Sequence, residues 1–235
     1  MSPGQRPGRE AFDAVVFDAG GVLLLPDGEA SRRALADALG HQSSAADWVR
    51  AYYVANHAQE AWEHDDWPRT RREIAAALGV PGHQVEAATP LIEEAIATAW
   101  LAADGAAGVL ASLAAGGYRL AIVSNSTGVV EQQLADCGIC SVSGTGMTQV
   151  AAVVDSHVVG VEKPDPRIFS FALDALGADP ARCVYVGDTV RFDVTGARAA
   201  GLYPVHLDPL GLCRADGDHD HVAALAELTD WLVPA

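Results

Sequence analysis

From about residue 104 onward the chain alternates between two hydrophobic periods, and this constrains its fold more than any other feature. "YRLAIVSN" (118–125), "RCVYVGD" (182–188) and "LYPVHLD" (202–208) are largely apolar runs of strand length. Helical stretches separate and follow them: "AAGVLASLAAGG", "STGVVEQQLADCG", "PDPRIFSFALDALG" opened by prolines, "DVTGARAAG" and a last "VAALAELTDWL". "AAVVDSHVVG" (151–160) reads as extended, and the Ser- and Gly-rich 138–152 has no clear assignment. Strands that alternate with helices imply parallel pairing with right-handed crossovers. An unbroken apolar run suits a strand covered on both faces. "DAVVFD" (13–18) supplies one more such strand, far upstream.

Between these parts, 29 to 103 reads as helical throughout. "EASRRALADALG" stops at Gly40, and Trp48, Tyr52, Ala55 and Trp62 share one helical stripe. "RREIAAALGVPG" ends in a Gly and Pro cluster, and "TPLIEEAIATAW" offers Thr89 as N-cap with Pro90 at the first helical position. The expected architecture is α/β: a doubly wound, parallel-sheet, Rossmann-like core of residues 1–25 and 104–235. An all-helical cap of residues 26–103 is inserted after the first strand.

Composition narrows the function. Asp and Glu number 31 against 15 Lys and Arg, a net charge of −16, which argues against nucleic acid and anionic membrane as partners. No apolar run reaches the length of a membrane span, and "MSPGQRPGRE" lacks the apolar segment of a secretory signal. That arm is expected to be disordered, and the protein soluble and cytoplasmic. Cys137 and Cys140 form a C-x-x-C without a matching second pair, so they read as ordinary thiols. "DGDHDHV" (216–222) reads as a solvated loop before the last helix; a metal site on its His219 and His221 is the minority reading. Lys163 is the chain's one lysine.

In open α/β sheets ligands bind beyond the carboxyl ends of the strands. Asp18, Ser124 with Asn125, and Asp188 all close strands there, and Lys163 lies just before the helix that begins at Pro164. Any one of these could be a turn residue or a cap; their convergence on one rim points to chemistry.

These stretches resemble the motifs of the haloacid dehalogenase superfamily of hydrolases, in the subgroup with a helical cap after the first motif. "VVFDAGGVL", "AIVSNS", "VEKPDPRIF" and "VYVGDTVRFDVTGA" occur in the family's order. The resemblance implies a magnesium-dependent phosphatase acting on a small phosphorylated metabolite. Asp18 would be the nucleophile that forms an aspartyl-phosphate. Asp18, Asp188 and the Gly20 carbonyl would hold Mg2+, with Asp193 behind them orienting a metal-bound water. Ser124 and the backbone N–H groups of Ala19, Gly20 and Asn125 would hold phosphate oxygens. Lys163 would bridge nucleophile and phosphate and keep Asp18 ionised.

The departure is Gly20, where most phosphatases of the family carry a second Asp that handles the proton. A water or a cap residue such as His57, Glu60, His64 or Asp65 could substitute. The loss of that acid leaves two other readings open. One is a metal-free 2-haloacid dehalogenase, disfavoured because Asp188 beside a metal-free Asp18 would be repulsive. The other is a catalytically weak binding or regulatory protein on the same fold. A phosphonate-cleaving enzyme would need a cap lysine, and the cap has none. Part of "WEHDDWPRTRR" (62–72) is expected to close over the substrate.

Overall fold

The computed structural model describes residues 6–61, 66–214 and 219–233. The chain divides into two compact units, Met1–Leu24 with Ala102–Ala235, and Leu25–Leu101. The first is an α/β unit around a six-stranded sheet. Its strands are β1 (Ala14–Phe17), β2 (Arg119–Ser124), β3 (Val153–Asp155), β4 (Cys183–Gly187), β5 (Tyr203–Leu207) and β6 (Asp220–Val222). They lie in the order β6-β5-β4-β1-β2-β3, and every pairing is parallel. β1 is buried throughout and central, so its uninterrupted apolar sequence follows from cover on both faces. After β1 the chain builds outward on one side through β2 and β3, then returns to the other side through β4. That reversal sets a crevice at the strand ends beside β1.

The second unit is helical: α1 (Glu29–Leu39), α2 (Ala45–Ala58), α3 (Trp67–Ala77) and α4 (Val85–Thr98). Gly40 closes α1 at φ 68°, as its place after the apolar period predicts. Ser44 and Asp47 form a capping box at the start of α2. Trp48, Ala51, Ala55, Ile74, Ala88 and Ile92 are buried together in the core of this unit. Trp48 therefore packs between helices, its Nε1 donating to Pro26 O at 3.1 Å. Trp62, His64 and Asp65 lie outside the described residues.

The remaining helices belong to the α/β unit: α5 (Ala106–Ala115), α6 (Val130–Asp136), α7 (Ser156–Val159), α8 (Arg167–Leu176), α9 (Thr195–Ala199) and α10 (Ala226–Leu232). Several expectations need correction. Thr89 and Pro90 do not start a helix. α4 begins at Val85 and runs through Pro90, while Thr89 Oγ1 donates to Val85 O at 3.0 Å. Burial of Ala88 and Ile92, one turn apart, offsets the one backbone bond that Pro90 cannot make. Trp100–Ala102 is a strand, paired with Leu24–Pro26, so the helical stretch ends early. His157 and Val158, read as extended, lie in α7. Val222 ends β6 rather than opening the last helix, and Asp220 and His221, read as loop, pair with β5. Residues 140–141 and 148–149 of the unassigned stretch pair as two short strands.

The N-terminal arm is docked from residue 6. Arg6 pairs with Asp220 and lies over Trp231, whose Nε1 donates to Pro7 O at 3.0 Å. No described helix is long and apolar enough to cross a membrane.

Phe169 on α8 is fully buried and meets Tyr185 of β4 edge-on at 5.0 Å. Phe169→Ala is expected to cost about 3–5 kcal/mol. A urea titration of the variant checks this; a loss under about 1 kcal/mol would contradict the packing described.

Candidate active site

Three strand ends of the α/β unit place polar residues singled out by the sequence, and a fourth adds Asp155. Asp18 follows β1, with its backbone N–H held by Val186 O at 2.8 Å. Ser124 ends β2, and Asp188 follows β4. Asp155 ends β3 in register with Ser124. The turn after Asp18 depends on Gly21, at φ 78°. A Cβ there would lie 2.1 Å from Asp188 Oδ2, so only glycine lets the chain pass that carboxylate.

Lys163 reaches the same rim from the loop before α8. Asn125 fixes that loop: its Nδ2 donates to Lys163 O at 3.0 Å, and its Oδ1 accepts from Lys163 N at 2.8 Å. The side chain of Lys163 is 2 % exposed. Its Nζ lies 2.9 Å from Asp18 Oδ2, 2.7 Å from Asp193 Oδ1 and 3.0 Å from the Tyr185 hydroxyl. The chain's one lysine thus spends all three donors on buried partners.

Asp193 is equally confined. Oδ1 accepts from Lys163 and from the Tyr185 hydroxyl at 2.8 Å, and Oδ2 accepts from Thr189 N at 3.0 Å and Thr189 Oγ1 at 2.7 Å. Asp18 Oδ1 accepts from Ala19 N at 2.7 Å. Asp18, Asp188 and Asp193 each bring a carboxylate oxygen within 4.8 Å of the others. The structure therefore gathers Asp18, Lys163, Asp188 and Asp193 in direct proximity. Ser124 lies at the strand end beside them, and Asn125 acts through the backbone of Lys163.

Burial pushes the Asp18 carboxyl up to about 6, against the pull of the Lys163 ammonium. Burial would also raise Asp193, but Lys163, Thr189 and Tyr185 outweigh it and hold that carboxyl below its ordinary value. Lys163 itself would be lowered by burial; Asp18 and Asp193 instead hold it above the usual ammonium range. Lys163 with Thr189 and Tyr185 outweighs burial at Asp193, whereas Lys163 does not outweigh it at Asp18, so a further cation beside Asp18 would favour its ionised form.

Other residues were not legible as part of the site. Tyr185 sits mid-strand in an apolar run, where its hydroxyl is the only signal. Thr189 caps Asp193 from the turn. His206 ends its strand run with Nε2 3.1 Å from Asp188 O. Asp155 accepts from Gly128 N and His157 N, which ties down the loop after β2. By contrast Cys140 is buried, and burial drives its thiol up to about 12; Cys137 is also raised, so neither is an activated thiol.

The model of the haloacid dehalogenase-like hydrolases matches residues 12–201. The chain belongs to that family. A phosphoserine phosphatase from Thermus thermophilus is 31 % identical over 207 residues, which cover 87 % of this chain and 78 % of that protein. Among solved structures, a hydrolase of the family from Deinococcus radiodurans R1, with bound phosphate and sodium, superimposes with a TM-score of 0.63 at 26 % identity, covering 96 % of this chain and 99 % of that one. An L-2-haloacid dehalogenase from Xanthobacter autotrophicus shares the fold at 22 % identity and a TM-score of 0.57, covering 92 % and 96 %.

Removing the central cation tests how the family's motifs are held together here. Lys163→Met leaves Asp18 and Asp193 buried without their counter-cation and is expected to cost about 3–5 kcal/mol near neutral pH. In that variant Asp18, already raised by burial, loses the pull of the ammonium and titrates further above its unfolded value, so the folded state binds the extra proton. Its stability then falls as pH rises through that window, and the deficit is smaller at about pH 5 than at about pH 8. Urea unfolding in metal-free buffer at both pH values checks the sign; an equal deficit at both would contradict it.

Proposed function

We propose that the protein is a magnesium-dependent phosphatase acting on a small phosphorylated metabolite through an aspartyl-phosphate on Asp18. The observation that carries this reading is the buried pairing of Asp18 with Lys163 beside Asp188. It presents a carboxylate nucleophile next to a fixed positive charge. A carboxylate oxygen of Asp18 would bond to phosphorus as the ester P–O bond breaks, and the leaving oxygen would take the electron pair and a proton. Water would then attack phosphorus, release orthophosphate and restore the carboxylate. The backbone N–H groups of Gly20 and Asn125 and the Ser124 hydroxyl would hold the phosphoryl oxygens, joined by Lys163 and Ala19 N–H as Asp18 gives up their hydrogen bonds on bonding to phosphorus.

The residues fit a magnesium ion: three buried carboxylates lie together and only two of them pair with the Lys163 ammonium, an acid-rich oxygen set suited to a hard divalent cation. Asp18, Asp188 and the Gly20 carbonyl would hold it, where it would neutralise charge on the transferring group. Asp193, with both oxygens accepting from Lys163, Tyr185 and Thr189, would position Lys163 as well as support the metal's outer shell. The likeness to the Thermus phosphoserine phosphatase supports phosphate-ester chemistry over halide displacement.

A panel of phosphate monoesters with Mg2+ tests the reading. Phosphate release is expected from the wild type and at background from Asp18→Asn. No release above Asp18→Asn on any ester would overturn the phosphatase reading. Chloride release from 2-chloropropionate in EDTA would favour the dehalogenase instead.

Gly20 has no side chain to move a proton, a role worth about a hundred- to ten-thousand-fold in rate. Gly20→Asp is therefore expected to raise kcat on alkyl phosphates by at least about tenfold and to change aryl phosphates, which leave without help, far less. A fall on alkyl phosphates would show that another group already performs the transfer.

A further inference from the structure

A second cluster of ligating side chains lies at the β5–β6 edge of the sheet, apart from the carboxylates. His206 of β5, Cys213 of the following loop, and His219 and His221 at β6 each bring one ligand atom within 4.8 Å of the others. Two of the separations have the lengths of tetrahedral edges. A tetrahedral zinc ion with Zn–N of about 2.0–2.1 Å and Zn–S of about 2.3 Å sets N···N edges near 3.3 Å and N···S edges near 3.6 Å. His206 Nδ1 and His219 Nε2 are 3.3 Å apart, and Cys213 Sγ and His219 Nε2 are 3.7 Å apart.

The surroundings are arranged as for a metal ligand set. His206 directs Nε2 at the Asp188 carbonyl, 3.1 Å away; donation there leaves Nδ1 as a lone pair facing the cluster. A backbone carbonyl in that role is the usual outer partner of a metal-bound imidazole. His221 Nε2 is buried and makes no hydrogen bond. The Asp208 carboxylate accepts from Leu212 N at 3.0 Å and Cys213 N at 2.9 Å, which bends the loop so that Cys213 returns to the histidines. Asp208 N donates to Val222 O at 2.9 Å and anchors that loop to the end of β6.

We propose that His206, Cys213, His219 and His221 form a closed, four-ligand site for a zinc-class divalent cation. Three imidazoles and a thiolate suit such an ion and not magnesium, whereas the carboxylate cluster suits magnesium. The two sites therefore sort their ions by ligand chemistry. With no open position the zinc is structural. It joins β5, the 208–213 loop and β6 and, through His206, steadies the backbone of Asp188.

The test uses the full chain, stripped of metal, dialysed against zinc and gel-filtered. About one zinc per chain is expected. Cobalt(II) in its place should give the thiolate-to-cobalt charge-transfer band and the intense visible absorption of a tetrahedral ion. Both should persist in Asp18→Asn, which excludes the carboxylate site as the source. Cys213→Ser should lose the charge-transfer band while keeping its far-ultraviolet circular dichroism. Loss of an outer-shell partner alone costs about 10–100-fold in affinity, so His221→Ala should weaken zinc binding by more than that. Zinc should also raise the Tm of the wild type and not of Cys213→Ser. A wild type that retains no zinc and shows no tetrahedral cobalt spectrum would overturn the proposal. So would a charge-transfer band undiminished in Cys213→Ser.

Discussion

The α/β unit is organised around one ammonium group in the interior. Lys163 is almost wholly buried, and burial of a cation is costly unless carboxylates surround it. Here two carboxylates and a phenol do so, and each comes from a different segment: Asp18 after β1, Asp193 after the β4 turn, Tyr185 within β4. The electrostatic requirement of one side chain thus fixes three parts of the chain against one another. Asn125 extends this constraint by clamping the backbone of Lys163 from the end of β2. The same contacts hold the nucleophile candidate in position, so stability and site geometry have one cause.

That arrangement is asymmetric, and the asymmetry separates the two acids. Asp193 has every oxygen occupied by donors and stays ionised; Asp18 has fewer donors, and its carboxyl is pushed up to about 6. The better-supported acid acts as a fixed counter-charge, and the less supported one faces the strand ends. Gly21 admits Asp188 to this rim by having no side chain. Gly187 does the same below it, where a Cβ would lie 2.2 Å from the side chain of Asp193.

Much of this was legible in the sequence, for physical reasons. β1 and β2 are buried on both faces, so their apolar runs named them. Gly40 ended its helix because only glycine takes its backbone angle cheaply. Asp18, Ser124 and Asp188 were singled out because strand ends on one rim are where such sheets bind ligands, and Lys163 because it precedes a helix at that rim. What failed depended on tertiary context. Pro90 reads as a helix start by local rules, yet α4 continues through it because Ala88 and Ile92 are buried on the same side. The 219–222 segment reads as solvated loop from its charge, yet its backbone is taken up as an edge strand beside β5. Tyr185 offered only its hydroxyl, and "HLDP" (206–209) could be placed near the rim but given no role, because Lys163 and the Asp188 carbonyl meet these side chains only in the folded chain. The alternation of His219 and His221, which places both on one side of an extended segment, was the available clue to their convergence.

The central claim is that Asp18 becomes phosphorylated, and trapping that species tests it most directly. Wild-type protein with Mg2+ and a radiolabelled phosphate ester from the active panel is quenched in acid during turnover, digested and mapped. The account predicts label on the peptide that contains Asp18, released by hydroxylamine as an acyl phosphate is. Rapid turnover with no label on that peptide at any quench time, or label on another residue, would contradict it.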